Sequence, residues 1–352
     1  MPALVVGLLA VAAMNEVRSG ETPAYLGLSS AAVHPSGSPA LTKLGRRVFF
    51  DTRLSRNGLV SCATCHQPER AFSDGQTLAT GVNGHKGTRN TPSLINAVLH
   101  DKQFWDGRRS SLEEQVLDPF VNPAEHGLPD HARLLELLHR DESYRKDFAG
   151  AFPAALNAIA LPLVAKALSG FIRSLAAGGS AFDRHEYGKE PAALDEPARR
   201  GLALFRGRAQ CAECHVIGAR DAPLTDNQFH NISVGLERIA SKLPILARKV
   251  AQTKKEQIDT LVISDPGIAA LGRFVVTKNP SDIGKFRTPT LRNVALTAPY
   301  MHDGSVATLE HAVDHELYYR GQALGRPLIL TPAERSDLVA FLRALTSGEL
   351  PR

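Results

Sequence analysis

Two five-residue stretches decide how this chain is read: Cys62-Ala63-Thr64-Cys65-His66 and Cys211-Ala212-Glu213-Cys214-His215. Between them they use all four cysteines of the 352 residues. Cys-x-x-Cys-His is the attachment motif of a c-type haem. Two thiols one helical turn apart add to the two vinyl groups of one porphyrin, and the adjacent histidine reaches the iron as proximal ligand. A zinc site would want two further ligands at each motif, and a redox dithiol does not require the histidine. The pattern predicts two covalent haems, one held by Cys62, Cys65 and His66, the other by Cys211, Cys214 and His215.

Outward from the motifs, their approaches repeat. Leu44-Gly45-Arg46-Arg47-Val48-Phe49-Phe50 precedes the first and Arg200-Gly201-Leu202-Ala203-Leu204-Phe205 the second, each reading as a short helix that leads to a haem loop. An internal duplication follows, one cytochrome c-like unit per haem. The expected limits are 40–185 and 190–348. The joint falls near Ala176 to Pro197, where glycine, serine and proline interrupt the helical pattern. Ser111-Leu112-Glu113-Glu114 reads as a capping box opening a helix. Leu134 to Leu138 and Leu163 to Leu175 carry apolar residues at three- and four-residue spacing. Thr331-Pro332-Ala333-Glu334 opens a last helix. No two-residue alternation is sustained. The expected fold is all-α, two cytochrome c-like domains with long irregular loops wrapped around the haems.

The composition narrows the class. With 43% apolar and 22% charged residues, disorder, collagen and coiled coil are excluded. A net charge of +5, with no basic run longer than a pair, excludes nucleic-acid binding as the main role. Leu4 to Ala13 is an apolar run too short to span a bilayer but suited to a secretory signal, so residues 1–20 are expected to be a processing segment. Haem c is attached outside the cytoplasm, which agrees with a periplasmic protein that has no membrane span in its mature form.

Further segments, in order around the two motifs, carry a resemblance. They are Arg89-Asn90-Thr91-Pro92, Phe104-Trp105-Asp106-Gly107-Arg108, Leu112-Glu113-Glu114-Gln115, Asn122-Pro123-Ala124-Glu125, Thr225-Asp226-Asn227-Gln228-Phe229-His230-Asn231, Arg287-Thr288-Pro289-Thr290-Leu291-Arg292-Asn293 and Pro299-Tyr300-Met301-His302-Asp303-Gly304. The chain resembles the bacterial di-haem cytochrome c peroxidases and their relatives MauG and MbnH over residues 40–345.

The resemblance implies a peroxide site in the first domain. Glu125 is then the acid–base group, Gln115 its hydrogen-bonding partner and Pro119 a shape-setting residue. Trp105 becomes the oxidisable bridge between the haems. Many family peroxidases block the first haem with a loop histidine. That position falls on Val82, with His85 nearby in the same glycine-rich loop, and the preferred reading is an iron that stays open. At the second haem, peroxidases use a methionine as sixth ligand and MauG-like enzymes a tyrosine. The helix here contains no methionine. An ungapped register puts Glu316 at the ligand position, while a two-residue insertion brings in Tyr318. Tyr318 is the expected ligand, with Tyr319 next and Met301 competing from the loop before the helix. The family's calcium would be held by the Asn90 side chain and the carbonyls of Thr297 and Pro299.

The function so implied is peroxide-driven oxidation of a residue, a tryptophan by analogy, on a periplasmic partner protein, through a state in which both irons are highly oxidised. In the MbnH-like branch that partner is a small copper-binding protein. The alternative is a peroxidase that reduces hydrogen peroxide with electrons from a small cytochrome or cupredoxin. A non-enzymatic electron carrier is the third class, and Glu125 and Gln115 speak against it. Some MauG-type enzymes place a relay tryptophan two residues before the second motif. This chain has Ala209 there, so an outward route must use other residues.

Overall fold

The computed structural model describes residues 25–33, 37–155 and 158–351. The expected processing segment, 1–20, lies outside the described residues.

Five helices carry the architecture. Helix α1 spans Pro39–Phe50, α2 Leu161–Ser174, α3 Glu196–Arg206, α4 Leu309–Ala323 and α5 Pro332–Arg343. Local sequence explains their starts. Ser38 and Asp195 accept hydrogen bonds from Leu41 and Ala198, each ahead of a proline in the first turn. Thr331 and Glu334 form a reciprocal capping box at α5. Leu41, Leu44 and Val48 form a buried stripe on α1, and Leu202 with Phe205 one on α3.

The duplication is a repeat of packing as well as of sequence. Helix α1 crosses α2 at Gly45, where a Cβ would stand 1.9 Å from the Ala167 carbonyl oxygen. Helix α3 crosses α5 at Gly201, where a Cβ would stand 2.0 Å from the Asp337 carbonyl oxygen. Beside each crossing a phenylalanine pair meets at 5.0 Å, Phe49 with Phe171 and Phe205 with Phe341. Each half also holds an asparagine in the left-handed region, Asn96 (φ 61°) and Asn293 (φ 62°). The side-chain oxygen of each accepts from the backbone just beyond α2 or α5, from Ala177 at 2.8 Å and Ser347 at 2.8 Å. Two cytochrome c-like domains result, with separate cores around Phe49 and Phe171 and around Phe205 and Phe341.

Three details differ from the sequence reading. Phe182 packs in the second core although it falls within 40–185; core membership changes between Ala177 and Phe182. The helix after Ser111 is a single turn, Leu112–Gln115, and Glu114 turns back to the Ser110 N–H and hydroxyl. A third apolar cluster was not foreseen. Helices Leu243–Gln252 and Lys255–Ser264 bury Val250, Ile258 and Val262 against Ile268, Leu271 and Phe274. A two-residue antiparallel pair, Phe229–His230 with Phe286–Arg287, closes the base of this insertion. Its Asp259 pairs with Arg108 at 3.0 Å and Arg109 at 2.5 Å, which ties it to the first domain. Among the described residues no helix is long and apolar enough to cross a membrane.

Candidate functional site

Each haem motif begins a short helical turn, Cys62–Cys65 and Cys211–Glu213. All four thiols are free of disulfides. The His66 Nδ1–H donates to the Phe72 carbonyl at 2.9 Å, and the His215 Nδ1–H donates to the Leu224 carbonyl at 2.9 Å. That bond fixes the tautomer and leaves Nε2 with its lone pair for a metal. Burial lowers both histidine pKa values, which favours the neutral, ligating ring.

The sequence-predicted residues of the first site lie on one short stretch of chain, 115–125. Gln115 ends the turn after Ser111, and Pro119 starts the turn Asp118–Val121. The chain then bends so that the Asn122 side-chain amide donates to Glu125 Oε1 at 2.6 Å. Burial pushes the Glu125 carboxyl above the usual carboxylate range, while the Arg108 charge and the Asn122 bond pull the other way. Burial raises the Cys62 and Cys65 thiols, and the nearby Glu125 charge adds to it. Gln115 makes no side-chain hydrogen bond among the described residues. Val82, 1% exposed, donates its N–H to the Glu125 carbonyl at 2.8 Å. His85 is on the outside, its Nδ1–H on the Pro123 carbonyl at 3.2 Å.

Around the second motif a cavity of about 370 Å³ opens toward the first domain, within the usual range for cofactor clefts. Its walls include Cys211, Cys214 and His215, the α4 face, and Asn90 and Trp105 from the first half. Arg287 also lines it, almost fully buried, with its Nε lacking a partner and no carboxylate paired to it among the described residues. Burial lowers its pKa to about 10. A guanidinium left so exposed to desolvation wants an anion. The propionates of a haem are such anions, so the residues present fit the group.

Trp105 joins the two halves. Its indole N–H donates to the Asn90 carbonyl at 3.0 Å, and its own carbonyl accepts from the Arg287 N–H at 2.9 Å. The neighbouring Asp106 is fully buried between Arg89 at 2.7 Å and Arg108 at 3.2 Å; these charges offset its desolvation and hold its pKa down to about 2. Asn90, Thr297 and Pro299 line the same cavity. The Asn90 Nδ2–H₂ donates to the Gln76 carbonyl at 2.8 Å, and its Oδ1 has no hydrogen-bond donor among the described residues.

The expected sixth ligand of the second haem is corrected. Tyr318 is 61% exposed and does not line the cavity. Helix α4 runs unbroken over this stretch, and two residues along an α-helix turn the side chain by about 200°. Glu316 therefore faces the cavity in place of Tyr318. Burial raises its pKa to about 7, against the pull of Arg320 and His230. Tyr319 lines the rim and turns its hydroxyl to Glu237 at 3.4 Å. Met301 also lines the cavity.

Sequence reasoning passed over Arg287, whose unsatisfied Nε and want of a carboxylate among the described residues are three-dimensional facts, and Arg108, whose charge reaches Glu125 across the fold. The ligand atoms of Cys214, Asp226 and His230 lie within 4.8 Å of one another. Cys214 belongs to the haem motif, so this cluster is part of the same site.

A chain with two Cys-x-x-Cys-His motifs, each backed by a carbonyl-anchored histidine, is a di-haem c-type oxidoreductase. It belongs to the di-haem cytochrome c peroxidase family, whose model matches residues 39–191. It is 34% identical over 322 residues to the cytochrome-c peroxidase IdrP1 of Pseudomonas sp. (strain SCT), a match covering 87% of this chain and 80% of that one. It is 34% identical over 321 residues to the methylamine utilization protein MauG of Methylophilus methylotrophus, covering 87% and 82%. Among solved structures it is similar to a MauG-like protein associated with microbial copper homeostasis, with a TM-score of 0.71, 35% identity, and coverage of 89% and 91%. The chain is a peroxide-dependent di-haem oxidoreductase that uses two haem c groups, hydrogen peroxide and a redox partner protein.

Proposed function

We propose that this enzyme accepts hydrogen peroxide at the first haem without prior reduction and spends the oxidising equivalents on a residue, a tryptophan, of a partner protein in the periplasm. The observation that carries this reading is the loop beside Glu125. Apolar Val82 is turned inward there, and His85, the group that could close the iron, is outside on the Pro123 carbonyl. An enzyme that waits for reduction before it opens has no use for that arrangement.

When bound, the haems at His66 and His215 supply the two redox-active irons. The chain's own residues do the rest. Asn122 occupies Glu125 Oε1, so Oε2 is the atom left to carry a proton from one peroxide oxygen to the other. The raised carboxyl pKa suits it to both accept and return that proton. Gln115 offers a side-chain amide to the departing water, and Pro119 shapes the turn that holds the pair. Two electrons and two protons convert the peroxide to two waters, and the electrons come from the partner. Trp105 is the side chain through which they cross between the domains. Arg287 would neutralise carboxylates of the second haem, and Asn90 Oδ1 with the carbonyls of Thr297 and Pro299 would hold a calcium ion, a set of hard oxygens suited to it.

The similarity to a MauG-like protein associated with copper homeostasis supports a small copper-binding partner. Met301 in the second cavity favours the other reading, a peroxidase fed by a small cytochrome or cupredoxin. The fully oxidised enzyme is mixed with peroxide and periplasmic extract in the absence of reductant. A trapped protein with an oxidised tryptophan, found by mass spectrometry, supports the proposal. Peroxide turnover that requires a reduced cytochrome or cupredoxin, with no modified protein, refutes it.

A further inference from the structure

We propose that the carboxylate of Glu316 is the sixth ligand of the second haem, in the place where relatives would present sulfur or phenol. This deepens the proposed function and rests on its two-haem reading.

The placement comes first. Ala312, Val313, Glu316, Leu317 and Arg320 form one face of α4, and that face lines the cavity shared with His215. On it Glu316 is the one side chain with an anionic oxygen; no other aspartate or glutamate among the described residues lines the cavity. Glu316 has no hydrogen-bond partner among the described residues. The nearest cation on the helix, Arg320, is committed elsewhere: it bonds Glu213 and lies 3.6 Å from Cys214 Sγ. A carboxyl taken from water into a mostly apolar cavity with no donor bonded to it is costly. It is retained at no such cost if a cation is to sit in front of it.

The competitors are less well placed. Tyr318 is on the opposite face. The Tyr319 hydroxyl donates to Glu237 at the rim, the Tyr300 hydroxyl to the Val294 carbonyl at 3.2 Å, and the His302 ring is stacked on Phe286 at 3.5 Å. Met301 is a soft thioether on the loop rather than the helix.

The chemistry is consistent with the role. Ferric iron in a porphyrin carries one net positive charge, and a hard anionic oxygen stabilises it over the ferrous state, whereas thioether does the reverse. On ligation the carboxyl proton leaves to solvent and an oxygen–iron bond forms. A carboxylate thus does for the second haem what phenolate does in MauG-like relatives.

The test uses the ferric holoprotein with both haems. Glu316→Gln keeps the size and removes the anionic donor. The expected result is a changed electron paramagnetic resonance and near-infrared spectrum for one haem only, with an upward shift of that haem's midpoint potential in spectroelectrochemistry. Glu316→Met is the second variant, useful if the first loses haem. It should create a sulfur-to-iron charge-transfer band, because a side chain at 316 reaches the iron. Met301→Leu, Tyr318→Phe and Tyr319→Phe should leave the ferric spectra as they are. An unchanged spectrum in Glu316→Gln, a missing sulfur band in haem-loaded Glu316→Met, or a ligand change in one of the other three variants overturns the assignment. Partner oxidation is read separately, so a failure of the protein-oxidising function would leave these spectra, and this conclusion, standing.

Discussion

The indole N–H of Trp105 donates to the main-chain carbonyl of Asn90 at 3.0 Å. The residue proposed as the calcium ligand therefore also anchors the indole that lines the cavity at the second haem motif. Two functions that the sequence presents as separate meet in one short contact.

Trp105→Phe should fold, because phenylalanine fills most of the volume. Loss of the N–H leaves the Asn90 carbonyl without this donor, a cost of about 1 kcal/mol. Transfer between the domains should suffer far more, since a phenyl ring is much harder to oxidise. The expected outcome is a small drop in Tm with a large loss of partner oxidation. Wild-type yields of oxidised partner would reduce Trp105 to core packing.

The proposed calcium site can be tested independently. Asn90→Ala deletes Oδ1 and also the bond to the Gln76 carbonyl. Elemental analysis should find one calcium per wild-type chain and none in the variant, and chelation of the wild type should slow partner oxidation in the same way. Equal metal content in both proteins would dismiss Asn90 as a ligand.

Glu125→Gln should retain both haems and slow peroxide consumption by roughly 10²–10⁴-fold, the usual contribution of a general acid–base group. The sign of the pH dependence follows from the raised pKa. Below it the carboxyl is already protonated and cannot accept a proton from peroxide, so the wild-type rate should rise with pH through a value above the ordinary carboxylate range. That limb should vanish in Glu125→Gln. A limb that persists belongs to another group.

Gly201→Ala tests the helix crossing. Its Cβ would stand 2.0 Å from the Asp337 carbonyl oxygen, a backbone atom that has no rotamer to give. Helices α3 and α5 must separate, at about 1–3 kcal/mol. Thermal melting of the holoprotein should show the loss. Gly45→Ala, 1.9 Å from the Ala167 carbonyl oxygen, should behave alike in the first domain. An unchanged Tm in both would mean that the crossings are looser than they stand here.

The sequence by itself determined the chemistry that is local in the chain. Two thiols and a histidine within five residues specify haem attachment without reference to the rest of the fold. The caps at Ser38, Asp195 and Thr331 start helices where they stand because a cap acts over three residues. The repeat of Gly45 and Phe49 in Gly201 and Phe205 announced a duplicated unit. The tertiary structure decided what depends on direction. Whether residue 316 or 318 faces a haem is a matter of about 200° of helical rotation, and a hypothetical two-residue insertion was enough to choose the wrong one. That Arg287 has no paired carboxylate among the described residues, that Arg108 acts on Glu125, and that residues 239–275 build their own core are properties of surfaces brought together from distant parts of the chain. Side-chain identity is written in the sequence, but which side chain meets which is settled only when the helices have packed.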